Sequence, residues 1–194
     1  MMRFLEPTLL RMTTRVLQTE RLSLRHFDRA DSPFIFELLN EPSWLQYIGD
    51  KGIKALGDAE RYIQDGPVTM YARLGFGLYL VELTGSGESV GMCGLIKRDT
   101  LEDVDLGFAF LSRFWGNGYA YEAAVAVMSY AKMRLGIDRI LAITTLNNKA
   151  SGKLLRKLEF TPERLIVATG DGQDLIVHSY KASNLPAHRP PSLL

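Results

Sequence analysis

The sequence predicts an α/β domain of the mixed (α+β) type, in which about seven strands form one twisted sheet beside about four helices. Three observations support this prediction. The chain has 194 residues, which is enough for a single domain with a full hydrophobic core. Its 46% hydrophobic and 23% charged residues are typical of a globular protein and exclude a disordered or collagen-like chain. Strand-like and helix-like patterns follow one another in the order β α α β β β α β α β β.

The first half of the chain predicts a strand, two helices and an antiparallel meander. Leu22 and Leu24 alternate with polar neighbours, which is typical of a half-buried strand. Asp28 or Asp31 can cap the first helix, which is expected to end at Asn40. The later elements of this half are a helix at 58–74, interrupted near 66–67, and strands at 76–83, 90–96 and 104–110.

The second half predicts one parallel crossover and a final pair of strands. A helix at 117–135 ends at Gly136, a residue type that is common at helix C-termini. The apolar run at 139–145 then predicts a strand buried on both faces. Because a helix joins them, the strands at 104–110 and 139–145 are expected to be parallel, with a right-handed connection. The last elements are a helix at 148–158 and strands at 163–169 and 174–181, joined by a glycine turn at 170–172.

Charge and the chain ends indicate where the protein works and how far its domain extends. With 23 basic and 22 acidic residues the net charge is +1, so we expect neither nucleic acid nor a membrane as partner. A single cysteine and no signal-peptide pattern indicate a cytoplasmic protein. We assign 15–183 to the domain, 1–14 to a flexible extension in which Met12 is an alternative start, and 184–194 to a tail.

The stretch from Asp105 to Ala124 carries the strongest indication of chemistry, because a strand there leads through a glycine turn into a helix. Leu106 and two phenylalanines share the core face of the strand, whereas the opposite face begins with Asp105 and is otherwise small. Gly116 and Gly118 allow backbone amides to converge at the helix N-terminus, which favours a phosphate or pyrophosphate. The alternative is a plain turn and helix cap, since a G-x-G pair is a weak motif.

The sequence R-F-W-G-N-G-Y-A at 113–120 resembles the R/Q-x-x-G-x-G/A acetyl-CoA signature of the GNAT superfamily of N-acetyltransferases. The likeness extends over 19–181 and is closest to the branch named for acetylation of ribosomal-protein N-termini. Further similar stretches are T-E-R-L-S-L-R at 19–25, L-N-E-P at 39–42, Y-I-G-D at 47–50, G-M-C-G-L at 91–95, D-L-G-F at 105–108 and N-K-A-S at 148–151. One departure is Glu159, where relatives usually have glycine, and we expect it to strain the local turn by about 1 kcal/mol.

The resemblance implies acetyl-CoA as the donor and a position for it. The pantetheine arm is expected to lie along the strand at 108–110, where the two parallel strands separate. A main-chain N–H near Phe108 or Ala109 then polarises the thioester carbonyl. The expected cofactor-binding residues are Phe108, Ala109, Phe110, Arg113, Gly116, Asn117, Gly118, Tyr119, Ala120, Asn148 and Ser151.

Two residues are predicted to carry the acid–base chemistry of amine acetylation. By the resemblance, Asp105 stands where relatives often have a glutamate, and it is expected to remove the amine proton either directly or through a water molecule. The alternative is that Asp105 is a solvated carboxylate at the end of its strand. Ser151 shares an inward helix face with Leu154 and Leu155, and Leu155 stands where many relatives have a tyrosine acid. By the resemblance, Ser151 matches the serine of the branch's N-x-x-S pattern and is predicted to protonate the leaving thiolate; the alternative is that it bonds only within its own helix.

The resemblance favours Trp44 and Tyr47 as residues that line the amine site, with core packing as the alternative. The histidines have no metal-like spacing, so no metal is expected, and Cys93 reads as a small core residue. The predicted function is direct transfer from acetyl-CoA to a small-molecule amine or a protein N-terminus in a ternary complex. The alternative is a non-catalytic acyl-CoA-binding regulatory module, and the chain is expected to be a monomer or homodimer.

Overall fold

The computed structural model describes residues 14–167 and 173–181. In this part of the chain eight strands form one sheet in the order β1-β2-β3-β4-β5-β6-β8-β7. They are β1 (Arg15–Gln18), β2 (Leu22–Arg25), β3 (Leu78–Leu83), β4 (Ser89–Ile96), β5 (Asp105–Phe110), β6 (Arg139–Thr145), β7 (Thr161–Ile166) and β8 (Leu175–Lys181).

Five helical stretches accompany the sheet in the described residues. They are α1 (Ser32–Leu39), α2 (Pro42–Tyr47), the pair α3 (Leu56–Ile63) and α4 (Thr69–Leu74), α5 (Tyr119–Leu135), and α6 (Lys149–Lys157). A π-helical turn at Gln64–Val68 joins α3 to α4, and it contains Pro67. Proline has no N–H for the regular helix ladder, which accounts for the interruption expected near 66–67.

The two faces of the sheet are covered by different helices. One face is covered by the alanine-rich side of α5 and by Leu155 of α6, which pack against Leu106 and Phe110 of β5. On the other face lie α1, α2 and α3, with Ile35 and Ile63 fully buried. The predicted core face of β5 is therefore confirmed, and the strand is enclosed between two hydrophobic clusters.

The predicted parallel pair is confirmed as β5 and β6, and it is short. Asp105 of β5 lies opposite Leu141 of β6 in the parallel register, and the N–H of Leu141 donates to the Val104 carbonyl at 2.9 Å. By contrast, β5 pairs with β4 along its whole length, from Asp105 to Phe110. The sheet thus opens between β5 and β6 beyond their first residues, and this opening positions the site.

The end of α6 holds the strained turn that the sequence predicts. Glu159 has φ 65°, and it is the non-glycine residue with positive φ in the described part of the chain. Its N–H donates to Arg156, and the N–H of Phe160 donates to the Leu155 carbonyl, which is the hydrogen-bond pattern of a Schellman motif. Leu155 and Phe160 are both buried in one cluster, so packing holds the turn although the side chain at Glu159 disfavours it.

The sequence prediction differs from the structure at several elements. The count of about seven strands missed the edge strand β1, which is four residues long and whose pattern is too short for periodicity to reveal. Between the two helices predicted in the first half, the structure contains a further helix, α2, which begins at Pro42. The strand expected at 163–169 runs from Thr161 to Ile166 within the described residues. The expected glycine turn at 170–172 and the tail at 184–194 lie outside them, as does the extension apart from Thr14.

No helix in the described ranges is both long and apolar enough to cross a bilayer.

Candidate functional site

A cavity of about 910 Å³ lies where β5 and β6 separate. At one end it reaches Gly116 and Gly118 before α5, and at the other end it reaches Trp44 and Tyr47 of α2. One continuous space therefore joins the glycine turn to the opposite side of the sheet. The predicted site residues that line it are Trp44, Tyr47, Asp105, Phe108, Ala109, Phe110, Gly116, Gly118, Tyr119, Ala120, Asn148 and Ser151.

The backbone of β5 presents polar groups to this cavity in a fixed alternation. The Val104 carbonyl accepts from Leu141 of β6, whereas the N–H of Leu111 donates to the carbonyl of Val90 in β4 at 3.0 Å. Successive residues of a strand direct their N–H and C=O to alternate sides, so even-numbered residues of β5 face β6. The sequence left open whether Phe108 or Ala109 offers its N–H; the register directs that of Phe108 toward the opening.

The glycine turn has the backbone conformation that only glycine adopts easily. Gly116 and Gly118 have φ of 79° and 80°, and Gly118 is the residue that caps α5. A Cβ at Gly116 would meet no atom within 4 Å, so it is the backbone conformation that requires glycine there. The first amides of α5 are consequently directed outward at a helix N-terminus, where the helix dipole favours an anion.

A long-range ion pair braces this turn against β2. The Arg21 guanidinium contacts Glu122 of α5 through Nε at 2.7 Å and donates to the Asn117 carbonyl at 3.0 Å. Glu122 also accepts from the hydroxyl of Thr19, and these contacts hold the pKa of its carboxyl below the usual value although burial opposes them. Arg21 lies 4.9 Å from the ring centroid of Tyr119, so the turn and the first residue of α5 are held together.

Arg113 and Asn117 do not direct their side chains into the cavity. The guanidinium of Arg113 pairs with Glu37 of α1, and the amide of Asn117 donates to the Phe114 carbonyl at 3.0 Å. Any contact that these two residues make with an anion in the cavity would therefore come from their backbone. Trp115 is half-exposed, and its indole N–H donates to the Phe110 carbonyl at 2.7 Å.

Asp105 is a buried carboxylate with one strong partner. It is 1% exposed, and Nε of Arg98 lies 3.0 Å from Oδ1 and 3.2 Å from Oδ2. Burial raises the pKa of Asp105 above its usual value, while the positive charge of Arg98 opposes that rise. Because Asp105 is buried, the alternative of a solvated strand-end carboxylate is wrong. A carboxylate with a raised pKa is also a stronger base than a solvated one.

The N-terminus of α6 places Asn148 and Ser151 in the wall of the cavity. Asn148 caps the helix, because its side-chain oxygen accepts from the N–H of Ser151 at 3.0 Å. Ser151 and Leu155 both line the cavity, which confirms the predicted inward face of this helix. Thr144 of β6 lies beside them, and its hydroxyl is 3.0 Å from Nε2 of the buried His178.

Trp44 and Tyr47 lie at the far end, and Trp44 serves two roles. Its ring is 5% exposed within the α1–α3 cluster, and its indole N–H donates to the Gly49 carbonyl at 3.1 Å. Trp44 is thus both core and cavity wall, so the two alternatives that the sequence left open are not exclusive. Burial raises the pKa of Tyr62, which also lines this end, to about 12.

Sequence reasoning missed Arg98, Tyr62, Met70 and Thr144, all of which line the cavity. None belongs to a motif, and each comes from a different element, so chain spacing carries no signal for them. Cys93 is buried and burial raises its thiol pKa, as expected for a core residue. Within 14–167 and 173–181 no cluster of three His, Cys, Asp or Glu side chains is arranged to hold a metal ion.

Comparison with known proteins gives matches over most of the chain. The family model of the acetyltransferase (GNAT) domain matches residues 21–161. YoaA from Bacillus subtilis strain 168, named as an uncharacterized N-acetyltransferase, is 27% identical over 152 residues, which are 78% of this chain and 85% of YoaA. An acetyltransferase structure from Agrobacterium tumefaciens C58 has a TM-score of 0.72 and 24% identity, covering 86% of this chain and 94% of that chain.

A solved structure with a bound coenzyme is also similar. It is RimL, a ribosomal L7/L12 alpha-N-protein acetyltransferase in complex with coenzyme A, with a TM-score of 0.74 and 20% identity. The alignment covers 87% of this chain and 98% of RimL. At this identity the likeness establishes a shared fold.

Proposed function

The chain belongs to the GNAT family of acetyltransferases, and on this premise we propose that it moves an acetyl group from acetyl-CoA to a primary amine within a ternary complex. The observation that carries the proposal is the single cavity that joins the Gly116–Gly118 turn to the buried Asp105 and onward to Tyr47. A donor entering from the turn and an acceptor entering from α2 would meet at β5. Direct transfer needs such a meeting point and no covalent acetyl-enzyme.

The donor half of the cavity offers the groups that a CoA thioester needs. The amides at the start of α5 suit the pyrophosphate, and the opening between β5 and β6 suits the pantetheine arm, which hydrogen-bonds along an exposed strand edge. The N–H of Phe108 faces that opening and would donate to the thioester oxygen as negative charge develops on it. Small side chains, including Ala109 and Ala120, form part of the wall.

The chemical step then uses Asp105 and Ser151. Asp105, directly or through water, takes a proton from the amine, and the amine nitrogen attacks the thioester carbon to give a tetrahedral intermediate. When the carbon–sulfur bond breaks, the coenzyme leaves as a thiolate, and the Ser151 hydroxyl donates the proton that makes it a thiol. Water returns a proton to Ser151, and Asp105 releases to water the proton that it took from the amine, so that both residues end the cycle as they began it. An α-amine, with a pKa near 8, is deprotonated more readily at neutral pH than a lysine side chain. Protein N-termini and small amines both remain acceptors that fit this chemistry. We also propose a cytoplasmic location, because the chain has a single cysteine, Cys93, which cannot form an internal disulfide.

The donor site is tested by thermal unfolding of the full chain with acetyl-CoA. Acetyl-CoA at about 100 times its dissociation constant stabilises the folded state by about 2.7 kcal/mol, or roughly 5–10 °C in Tm. Gly118→Trp, which fills the turn, is expected to abolish this shift. Gly87→Trp is the matched control, since Gly87 has a similar φ of 71° in a hairpin turn and does not line the cavity. A shift retained by Gly118→Trp, or absent from the wild type, would contradict the proposal.

Catalysis is separated from mere binding by the rates of CoA release with a panel of amines. Asp105→Asn and Ser151→Ala are each expected to lower kcat by at least tenfold while the shift with acetyl-CoA persists. A wild-type protein that binds acetyl-CoA but releases no CoA with any of the amines would instead be the regulatory module.

A further inference from the structure

The acceptor half of the cavity has an apolar and aromatic wall. It is formed by the end of α1, α2, the α3–α4 run, the start of β3 and the middle and end of β4. The large side chains there are Leu38, Trp44, Tyr47, Tyr62, Met70 and Met92. Such a wall binds an acceptor through an apolar or aromatic body, because burial of that surface is the main favourable contribution available.

The charges in this half are predominantly positive. Arg98 and Lys51 line it, and Asp105 is the one carboxylate among the described residues that line the cavity anywhere. Because Arg98 contacts both oxygens of Asp105, the negative charge of that carboxylate is already matched. A polycationic acceptor would bring further positive charge beside Arg98 and Lys51 and find no carboxylate to receive it.

Arg98 has donors to spare. Its contact with Asp105 uses Nε, and the guanidinium carries two further nitrogens whose planar arrangement matches a carboxylate. The side chain is 39% exposed, so its end is accessible from the cavity while its Nε remains on Asp105. A substrate carboxylate placed there would lie next to the base that receives the amine proton.

The spacing along β5 limits how far that carboxylate lies from the amine. Asp105 and Phe108 are three residues apart on one strand, a rise of about 10 Å. A hydrogen bond of about 3 Å at the Arg98 end and a contact of about 3 Å at the thioester end leave only a few ångströms between them. This is the separation of amine and carboxylate in a free α- or β-amino acid.

We infer that the acceptor is a free amino acid, or a close derivative, with an apolar or aromatic side chain, whose carboxylate is bound by Arg98 and whose amine is presented to Asp105. The inference rests on the proposed function and narrows it. A protein N-terminus lacks the neighbouring carboxylate, and a polyamine carries the wrong charge. Lys51 at the mouth of the cavity adds to the attraction for the anionic group.

The test compares acceptors that share a side chain and differ at the carboxylate, using the full chain and CoA release as the readout. Because an amide lowers the pKa of the neighbouring amine, each rate is referred to the concentration of the neutral amine. The pairs are phenylalanine with phenylalaninamide and methionine with methioninamide; spermidine and a short peptide with a free N-terminus complete the panel. We expect kcat/KM to be at least tenfold higher for each acid than for its amide. Equal or higher values for the amides, spermidine or the peptide would overturn the inference while leaving acetyl transfer intact. If no acceptor in the panel raises CoA release above the rate measured without an acceptor, the proposed function is overturned as well.

Arg98→Gln tests the binding role separately. If Arg98 binds the substrate carboxylate, the variant raises KM for the acids and removes the preference for acid over amide. If Arg98 only orients Asp105, acid and amide lose rate equally and the preference persists, which would contradict the inference. Arg134→Gln is the matched control, because Arg134 is exposed at the C-terminal end of α5 and does not line the cavity. Arg134→Gln should leave unchanged both the KM for the acids and the preference for acid over amide.

Discussion

The Arg98 guanidinium and the Asp105 carboxylate form an ion pair in which a cation that is 39% exposed meets an anion that is 1% exposed. The pair joins the end of β4 to the start of β5. Burial and charge act on the Asp105 carboxyl in opposite directions, and burial is the larger influence, so its pKa is raised. The protonation state of the proposed base thus depends on a neighbour that is open to solvent.

This relationship predicts a pH dependence. In the wild type, kcat/KM should rise as the pH increases through the raised pKa of Asp105, because the carboxylate is then deprotonated and able to accept a proton. Arg98→Gln removes the charge that lowers this pKa, so the rising limb should move to higher pH. Profiles measured with one amine are comparable, since the ionisation of that amine is the same in both. A limb that stays in place, or moves to lower pH, would show that Arg98 does not control the base.

Ser151 is predicted to act on the leaving thiolate. Ser151→Ala should lower kcat by about tenfold or more and leave KM for acetyl-CoA within about twofold, because removal of the hydroxyl leaves the helix cap from Asn148 to the Ser151 N–H intact. Steady-state kinetics at saturating amine measures both values. Ser129→Ala on α5, whose hydroxyl contacts Met133, is the control and should change neither. A selective rise in KM would instead make Ser151 a binding residue.

Arg21 is predicted to support acetyl-CoA binding from outside the cavity. Arg21→Ala loses the contacts with Glu122 and with the Asn117 carbonyl, so the glycine turn is less well ordered and binding weakens roughly fivefold. Isothermal titration with acetyl-CoA measures this change. Arg29→Ala removes the exposed pair with Glu60 and is the matched control, with no expected effect. An unchanged affinity for Arg21→Ala would mean that the turn keeps its shape without the brace.

Glu159 is predicted to reduce stability. Glu159→Gly relieves a φ of 65°, and the gain, less the greater chain entropy of glycine when unfolded, should be about 0.5–1 kcal/mol in the free energy of unfolding. Denaturant unfolding measures this difference. Lys153→Gly in the middle of α6 is the control and should cost about 1 kcal/mol, because its backbone is helical. If both variants destabilise, the turn at Glu159 is not strained.

Features that depend on neighbours along the chain were predictable. Periodicity gave the core face of β5, the inward face of α6 with Ser151 and Leu155, and the parallel crossover between 104–110 and 139–145. The motif at Gly116 and Gly118 predicted a turn at the start of α5, and the departure at Glu159 predicted a left-handed residue. Each follows from the stereochemistry of one segment, which the sequence of that segment determines.

Features that depend on distant segments required the tertiary structure. Asp105 has a raised pKa only because packing removes its solvent, and no pattern in the sequence indicates that Arg98 is its partner. The brace between Arg21 and Glu122 joins residues 101 positions apart. The N–H of Phe108, and not that of Ala109, faces the opening because β4 pairs with the other side of β5, and only the assembled sheet shows this. Local sequence specifies the elements, whereas burial, charge pairing and the gap between β5 and β6 arise only when those elements pack together.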